Sequence, residues 1–338
     1  MKLLSIAVPC YNSENYMKNC IESLLVGGEE VEILIVNDGS KDKTAEIADE
    51  YAEKYPTIIR AIHQENKGHG GAVNTGIENA TGLYFKVVDS DDWLNEDAFK
   101  KALAVLEELT KGPDKLDALL CNYVYEKEGA KKKRVMHYRN TFPENRIFTW
   151  NEAKDLGLGH YVLMHSLIYR TSLLRECGMK LPEHTFYVDN IFAFQPMQYV
   201  KTLYYLDVNL YRYYIGRVDQ SVNEKVMLGR MDQQLRVNKI MIDCYEPKRL
   251  TQKQHKNYMV HNLSIIMAVS SILLLRKNDE ESLEQRKELW QYLKSKDAWL
   301  YYKTRHSLLG RAVNLPGKSG RKASVLCYKV AQRLYGFN

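Results

Sequence analysis

The run Leu83-Tyr84-Phe85-Lys86-Val87-Val88-Asp89-Ser90-Asp91-Asp92-Trp93 joins a mostly apolar segment to three closely spaced carboxylates. The apolar segment predicts a buried strand, and the carboxylates lie on the turn that leaves it. Two carboxylates on such a turn can converge on one divalent cation, which prefers oxygen ligands and keeps positions open for phosphate oxygens. The alternative is that Asp91 and Asp92 only cap and charge the helix that begins near Asn95. This stretch alone leaves both interpretations open.

Two other apolar strands end in polar turns. Leu4–Val8 leads into Pro9-Cys10-Tyr11-Asn12, and Val31–Val36 leads into Asn37-Asp38-Gly39-Ser40. In an open parallel sheet the carboxyl ends of the strands lie side by side, and ligands bind in the crevice outside them. We therefore expect Asp38 and Asp89 to be neighbours. A fourth strand, Ile58–His63, precedes the run Glu65–Gly76, whose glycines allow close approach of backbone to a ligand.

Strands and helices alternate over the first 110 residues, which predicts an α/β fold with a mostly parallel sheet covered on both faces. The helices expected here are Glu14–Leu25, Lys43–Tyr55, Ala72–Asn79 and Asp97–Leu109. Further strands follow up to residue 215, among them Leu116–Tyr125, Thr202–Leu206 and Asn209–Tyr214. Helices then dominate, as Lys225–Cys244, Gln252–Leu275 and Glu280–Lys296. We expect one domain over residues 1–220 and a smaller helical region over residues 221–338.

Four motifs occur in the order found in family 2 glycosyltransferases of the GT-A fold. They are Val8-Pro9-x-Tyr11-Asn12, Asn37-Asp38-Gly39-Ser40, Asn66-Lys67-Gly68 through Asn74-x-Gly76, and Asp89-Ser90-Asp91-Asp92. The chain resembles this family through about residue 220. The resemblance implies a GT-A, Rossmann-like sheet sandwiched by helices and a nucleotide-sugar donor, usually UDP-linked, with Mg or Mn on its diphosphate.

The resemblance also implies roles for single residues. Asp38 would bind the uracil edge and Asp89 the ribose, and Asp89 with Asp91 would hold the metal, while Asp92 supports the turn and caps the next helix. The other donor-side residues implied are Pro9 and Tyr11 as walls of the base pocket, together with Asn66, Gly68 and Asn74. Without the other motifs, Asp38 would be interpreted as an Asx turn. Asn12 and Glu14 are expected to cap the first helix.

A second cluster, Leu181–Phe192, resembles the segment that carries the catalytic base in the family. The resemblance implies that Asp189 deprotonates the acceptor hydroxyl, although Val188 stands where many members have Glu. Because that like charge is missing, we expect a lower pKa for Asp189 and activity that persists to mildly acidic pH. The alternative role for Asp189 is the N-cap of a helix over 190–199.

Arg217 and Ser221 resemble the family's mobile loop, which closes over the donor diphosphate. Val73 departs from the family, because many relatives place Arg there. His165 precedes a short apolar strand and is a candidate for the acceptor side, while His69 lies between glycines. No pair of His or Cys residues has the spacing of zinc ligands.

The net positive charge of the chain comes from residues 301–338. The whole chain has 48 Lys and Arg against 42 Asp and Glu, but residues 301–338 hold eight basic residues and no acidic one. Helical spacing places Lys322, Lys329 and Arg333 beside an apolar stripe of Leu326, Val330, Leu334 and Phe337. This pattern suits a helix on an anionic membrane surface, or equally a helix that packs its apolar stripe on the body. No nucleic-acid partner is expected, because no binding motif accompanies the charge.

The remaining features favour a cytoplasmic protein, with peripheral attachment to the inner face of the plasma membrane left open. Six cysteines are scattered without paired spacing, which suits reduced thiols. Met1-Lys2 leads directly into a strand, so no signal peptide is expected. The longest apolar stretch, Leu263–Leu275, is too short to span a bilayer, and no transmembrane helix is expected.

The sequence thus predicts an inverting, metal-dependent glycosyltransferase that moves a sugar from a UDP-sugar to a glycan or lipid-linked acceptor hydroxyl, for a surface polysaccharide or glycolipid. Inversion follows from the resemblance and from finding one candidate base. One alternative is a nucleotidyltransferase, but Val8-Pro9-Cys10-Tyr11-Asn12 contains no glycine-rich phosphate loop. The other is a nucleotide-sugar-binding or scaffold protein without catalysis, for which Val188 is the hint.

Overall fold

The computed structural model describes residues 2–113, 115–127, 129, 133–216 and 224–335. The chain divides into two compact units. The first consists of Met1–Lys154 and Val162–Gly216, and the second of Asp155–Tyr161 and Arg217–Asn338. The domain boundary expected near residue 220 falls in residues 217–223, outside the described residues, and stays a prediction.

The first unit is built on one ten-stranded sheet. Its strands are β1 (Leu4–Cys10), β2 (Val31–Asp38), β3 (Ile59–Gln64), β4 (Tyr84–Val87), β5 (Trp93–Leu94), β6 (Ala118–Lys127), β7 (Arg134–Met136), β8 (Ile147–Thr149), β9 (Leu167–Arg170) and β10 (Thr202–Ile215). They are ordered β3-β2-β1-β4-β9-β6-β10-β5, with β7 beside β6 and β8 beside β10. The pairs among β3, β2, β1 and β4 are parallel, as is β6 with β10, whereas β9 runs antiparallel between β4 and β6. The predicted α/β class with a mostly parallel sheet is confirmed.

The helices of the first unit are α1 (Met17–Leu25), α2 (Thr44–Lys54), α3 (Gly68–Asn79), α4 (Glu96–Lys111), α5 (Thr171–Glu176) and α6 (Asp189–Phe194). Two capping expectations are wrong. Asn95 caps α4 by accepting a hydrogen bond from Ala98 N at 3.1 Å, so Asp91 and Asp92 do not. Helix α1 begins at Met17, and the Asn12 and Glu14 side chains accept from the backbone before α2 instead.

The strands predicted over 202–206 and 209–214 form the single strand β10, whose register shifts between Leu206 and Asn209. A glycine brings α3 onto the sheet. A Cβ at Gly76 would lie 2.5 Å from Ala7 Cβ on β1, so only glycine allows this close approach. Helix α3 is thereby held against the strand that leads into the first polar turn.

The second unit is helical. Its helices are α7 (Glu224–Gly229), α8 (Met231–Asp243), α9 (Lys253–Lys277), α10 (Glu280–Lys296), α11 (Ala298–His306), α12 (Leu308–Ala312) and α13 (Gly317–Tyr335). The single helix predicted over Lys225–Cys244 is two helices that meet at Arg230. Helix α9 lies at the centre and contacts the other six.

Helix α9 is longer than Leu263–Leu275, the apolar stretch that was expected to be too short to span a membrane. In the described part of the chain it alone is long and apolar enough to cross a membrane, with an 18-residue window of mean hydropathy 1.8. However, 72% of that window is buried within the protein. Such burial is typical of a core helix, which passes the same test of length and composition.

The predicted basic and apolar stripe lies on α13. Val325 and Tyr328 pack against the core around α9, whereas Leu326 and Val330 are 64% and 49% exposed. The alternative in which these two stripe residues pack on the body is therefore wrong, because another face of the helix does so. The side chains of Arg333 and Leu334, and all of Phe337, lie outside the described residues.

Candidate active site

The carboxyl ends of β2, β1 and β4 lie side by side at one edge of the sheet. Cys10 on β1 pairs with Asn37 on β2, and Ala7 on β1 pairs with Val87 on β4. Asp38 is the last residue of β2, and the turns that follow β1 and β4 carry Tyr11 and Asp89. The parallel arrangement therefore brings together the polar turns that sequence reasoning placed at one edge.

Asp38 is almost fully buried, with 2% of its surface exposed. Its Oδ1 accepts hydrogen bonds from Lys67 N at 2.8 Å and Gln64 Nε2 at 2.7 Å. The Asx-turn interpretation of Asp38 is wrong, since Asn37 Oδ1 accepts the turn bond from Ser40 N at 3.2 Å. Oδ2 of Asp38 has no hydrogen-bond partner among the described residues, so it can accept a bond from a ligand.

Other predicted donor-side residues surround Asp38. Tyr11 is 51% exposed and Pro9 is buried in β1. Asn66 Nδ2 donates to Asp38 O at 2.9 Å, which ties the glycine-rich segment to the end of β2. The donor-binding roles of these residues stay predictions.

A candidate metal site lies after β4. Asp89, Asp92 and His165 each offer a ligand atom, and the three atoms lie within 4.8 Å of one another. Asp92 is buried, and its two oxygens accept from Tyr211 Oη at 2.6 Å and Tyr214 N at 2.7 Å. Asp92 thus supports the turn as predicted, although it caps no helix. Asp91, predicted as a ligand, is partly exposed and stands outside this group, so its metal role stays a prediction.

The charges at this turn fit a bound cation. Burial raises the pKa of Asp92 well above its usual range, and the neighbouring Asp91 and Asp89 carboxylates raise it further. Burial would also raise the pKa of Asp89, but the positive charge of His69 and its hydrogen bond outweigh this effect and lower it. A divalent cation here would relieve the repulsion among the carboxylates, which are the oxygen ligands that Mg and Mn prefer.

His165 is buried between aromatic rings. Its ring centroid lies 4.6 Å from that of Tyr211 and 4.4 Å from that of Tyr213, and its Nδ1 has no hydrogen-bond partner among the described residues. Burial lowers the pKa of His165 to about 4, so the ring is neutral near pH 7 and keeps a lone pair for a cation. His165 was predicted for the acceptor side, and the structure brings it to the acidic turn.

Two further residues lie close to this turn, and no site role was predicted for either from the sequence. Lys86 is fully buried in β4, and its Nζ donates to His165 O at 2.8 Å and Leu167 O at 3.3 Å. Burial lowers its pKa to about 8. In the sequence, the signal that could have identified Lys86 is a lysine within an otherwise apolar strand. His69, in the first turn of α3, lies with Nε2 2.7 Å from Asp89 Oδ1.

The loop before Asp189 is fixed to α3. The Asn74 side chain donates to Leu181 O at 2.9 Å and accepts from Leu181 N at 2.8 Å, which gives Asn74 a positioning contact beside its predicted donor role. His184 N donates to Lys67 O at 2.8 Å. A Cβ at Gly68, which has φ +74°, would lie 3.0 Å from the His184 backbone. The loop therefore rests directly on the N-terminus of α3.

The same loop contains two residues in the left-handed region, His184 at φ +47° and Tyr187 at φ +67°. Left-handed backbone costs a non-glycine residue about 1–2 kcal/mol and persists only where the surroundings enforce it. Such strain is often found next to functional groups. Here it directly precedes Asp189.

Asp189 is the first residue of α6, and the N-cap position belongs to Val188, so the N-cap alternative is wrong. Burial raises the pKa of Asp189 to about 6; His69 opposes this shift and Asp89 adds to it. The expected low pKa is therefore wrong. The missing glutamate removes one like charge that would have raised this pKa. Burial of the Asp189 carboxyl raises it instead.

The last two predictions concern Arg217 with Ser221, and Val73. Arg217 and Ser221 lie outside the described residues, so their role over the diphosphate stays a prediction. Val73 is fully buried in α3.

The fold is that of the GT-A class, to which solved glycosyltransferase structures belong. Over 99% of this chain and 91% of its own, the structure resembles the crystal structure of S. aureus TarS 1-349, with a TM-score of 0.64 and 21% identity. TarS 1-349 in complex with UDP-GlcNAc matches with a TM-score of 0.54 at 22% identity, over 91% of each chain.

The chain belongs to glycosyl transferase family 2, whose family model matches residues 5–178. It is 34% identical over 222 residues to EpsH of Bacillus subtilis (strain 168), provisionally named a glycosyltransferase. That match covers 63% of this chain and 60% of EpsH. GgaB of the same organism, a minor teichoic acid biosynthesis protein, is 37% identical over 107 residues, which are 31% of this chain and 12% of GgaB.

Proposed function

We propose that this protein is an inverting, metal-dependent glycosyltransferase that moves a sugar from a UDP-sugar to an acceptor hydroxyl. The observation that carries the proposal is the convergence of Asp38, the Asp89–Asp92–His165 group and Asp189 around one edge of the sheet. His69 connects this group with the base, because its ring hydrogen-bonds to Asp89 and its charge lowers the pKa of Asp189. Binding of UDP-GlcNAc by TarS supports a UDP-linked donor.

Asp38 and Tyr11 would hold the base of the donor. The Asp38 carboxylate is buried and fixed through Oδ1, which leaves Oδ2 to accept an N–H from the uracil edge. A buried acceptor that a wrong base leaves unpaired discriminates strongly, because desolvation is then uncompensated. The exposed ring of Tyr11 offers a face for stacking.

Asp89, Asp92 and His165 would hold the Mg or Mn ion, with Asp91 as a further ligand predicted from the sequence. When bound, the metal supplies positive charge that neutralises the diphosphate of the leaving nucleotide. Tyr211 fixes the Asp92 carboxylate through a 2.6 Å hydrogen bond. Burial lowers the pKa of His69, but the adjacent Asp89 carboxylate outweighs this effect and raises it, which favours a positive charge on the ring beside Asp89.

Asp189 would act as the general base. With a pKa of about 6, this carboxylate is mostly ionised at pH 7, yet more basic than an exposed aspartate. As the acceptor oxygen bonds to the anomeric carbon, its proton passes to Asp189 and the bond from that carbon to UDP breaks. A single displacement of this kind inverts the configuration.

The acceptor would be a glycan or lipid-linked hydroxyl in a surface polysaccharide or glycolipid, made at the cytoplasmic face of the membrane. The relation to GgaB supports a cell-envelope polymer. The exposed Leu326 and Val330 on α13 lie in a helix that also carries exposed Lys322 and Lys329, which suits peripheral contact with anionic lipid.

The test is release of UDP from a panel of UDP-sugars with Mn or Mg and candidate acceptors, followed by NMR of the product anomer. We expect metal-dependent release that requires acceptor and Asp189. UDP binding with no turnover on any sugar would favour the nucleotide-sugar-binding alternative. An anomer of retained configuration would contradict the single displacement.

A further inference from the structure

An open cleft of about 710 Å³ lies within the second unit, away in sequence from every residue of the candidate active site. Helices α10, α11 and α13 contribute its lining. Side chains that line it include Arg286, Arg305, Arg321, Trp290, Tyr301 and Asn314. Three arginines from three different helices therefore converge on one cleft.

Arg286 is the most constrained of the three. Its Nη2 donates to Val313 O at 2.8 Å and Asn314 Oδ1 at 2.5 Å, which fixes the guanidinium. Its Nε is buried and has no hydrogen-bond partner among the described residues. A buried donor without an acceptor costs about 1–3 kcal/mol, so an acceptor in the cleft would recover this free energy.

The other two arginines retain donors for a ligand. Arg305 Nη2 donates a single bond, at 3.3 Å, to Asn314 O, and its guanidinium carbon lies 6.0 Å from the Trp290 ring centroid. Arg321 is partly buried and has no hydrogen bond or ion pair with the described residues. Most of the donors of these two guanidinium groups are thus available.

The positive charge of the cleft is not compensated by its own carboxylates. Five cationic side chains line it, against the two acidic side chains Glu280 and Glu284, and Glu284 is paired with Lys287 at 2.9 Å. None of the three arginines has a carboxylate partner within the described residues. Burial lowers the pKa of Arg286, and the charges of Arg305 and Arg321 lower it further. The three groups therefore repel one another unless an anion joins them.

We propose that this cleft is a binding site for a phosphate-type oxyanion, held by Arg286, Arg305 and Arg321. Planar guanidinium groups bind phosphate oxygens in pairs of parallel hydrogen bonds. One guanidinium satisfies a carboxylate, whereas a phosphate monoester, diester or diphosphate offers enough oxygens for three. The site is independent of the proposed transferase chemistry, since its residues all belong to the second unit.

The first experiment measures binding of inorganic phosphate and pyrophosphate to the full chain by calorimetry and thermal shift, at an ionic strength held constant with NaCl. Arg321→Gln removes one of the three charges without breaking a described hydrogen bond. We expect it to weaken binding about tenfold or more and, without phosphate, to unfold at the same or a higher temperature because repulsion falls. The matched control is Lys322→Gln on the same helix, which is exposed and does not line the cleft, and should bind as wild type.

A second experiment separates a free phosphate from a lipid headgroup. Vesicles of phosphatidylcholine with and without phosphatidylglycerol are titrated with wild type, Arg321→Gln and Lys277→Gln. Lys277 is an exposed lysine on α9 that does not line the cleft, so its variant serves as the charge-matched control away from α13. Loss of binding to the anionic vesicles in Arg321→Gln alone would support the site with a lipid phosphate as its source. Arg305→Gln repeats both experiments from another helix should Arg321→Gln fold poorly. If neither phosphate nor vesicles distinguish the arginine variants from their lysine controls, the proposal is wrong.

Discussion

Asp189 gives the sharpest test of the proposed chemistry, because its pKa of about 6 predicts a pH profile that an ordinary aspartate would not produce. The raised pKa keeps the proton on the carboxyl at higher pH, so activity is lost as the pH falls through 6. The ionised fraction of the base is about nine-tenths at pH 7 and about one-tenth at pH 5. An aspartate with the usual pKa of about 3.9 would still be about nine-tenths ionised at pH 5.

We therefore expect kcat/KM to fall about tenfold between its plateau and pH 5. Asp189→Asn should reduce kcat by about a hundredfold or more while the affinity for UDP stays near wild type. UDP release at saturating metal gives the profile. The carboxyl carbon NMR shift of Asp189, assigned through the variant, gives the pKa directly in the metal-free protein.

Glu183→Gln is the matched control, because Glu183 is an exposed carboxylate in the same loop and should leave rate and profile unchanged. Two results would refute the reasoning. An Asp189→Asn enzyme that keeps its rate would assign the base elsewhere, and His165 could not then produce an acid limb near pH 6, since its pKa is about 4. Loss of UDP affinity in parallel with the rate would give Asp189 a role in donor binding.

Three further predictions address the metal, the backbone and the membrane. His165→Phe keeps the aromatic stacking but loses the ligand nitrogen, so Mn-dependent UDP affinity, measured by calorimetry, should fall about tenfold with little change in Tm; a larger loss in Asp91→Asn would favour the metal site predicted from the sequence. Gly68→Ala places a side chain at φ +74° against the His184 backbone, and should cost about 1–2 kcal/mol in denaturant unfolding; an unchanged midpoint would contradict the strain. Leu326→Asp with Val330→Asp should release the protein from anionic vesicles without changing Tm, since neither side chain is buried, whereas a lowered Tm would show that they contribute to the core.

The sheet edge was predictable because it follows from local pattern and one topological rule. Apolar runs that end in polar turns, together with parallel strands, place Asp38 and Asp89 at one edge, and β1, β2 and β4 are neighbours as this requires. The grouping of His165 with Asp92 was not predictable in this way. It depends on β9 lying antiparallel beside β4, a long-range pairing that no local period specifies.

The predictions of the helix caps and of the pKa of Asp189 were wrong for a different reason. The residue that caps a helix depends on the length of the preceding turn, so Asn95 takes the position that Asp92 would need, and Asp92 turns inward to Tyr211. The pKa of Asp189 was predicted from the charge of its sequence neighbour. In the folded chain burial is the largest cause of its shift, and burial can be counted only when the packing is known.

The two hydrogen bonds between Asn74 and Leu181 have a consequence for how the proposed acceptor specificity could change. They fasten the loop that carries Asp189, the proposed base, to the helix whose first turn holds His69 against Asp89. With the roles proposed above, a substitution that reshapes this loop for a new acceptor would also disturb the residues proposed to hold the donor, so binding of both substrates would weaken together. Selection or engineering for a different acceptor should therefore act through surface segments elsewhere and leave the backbone of residues 181–189 unchanged.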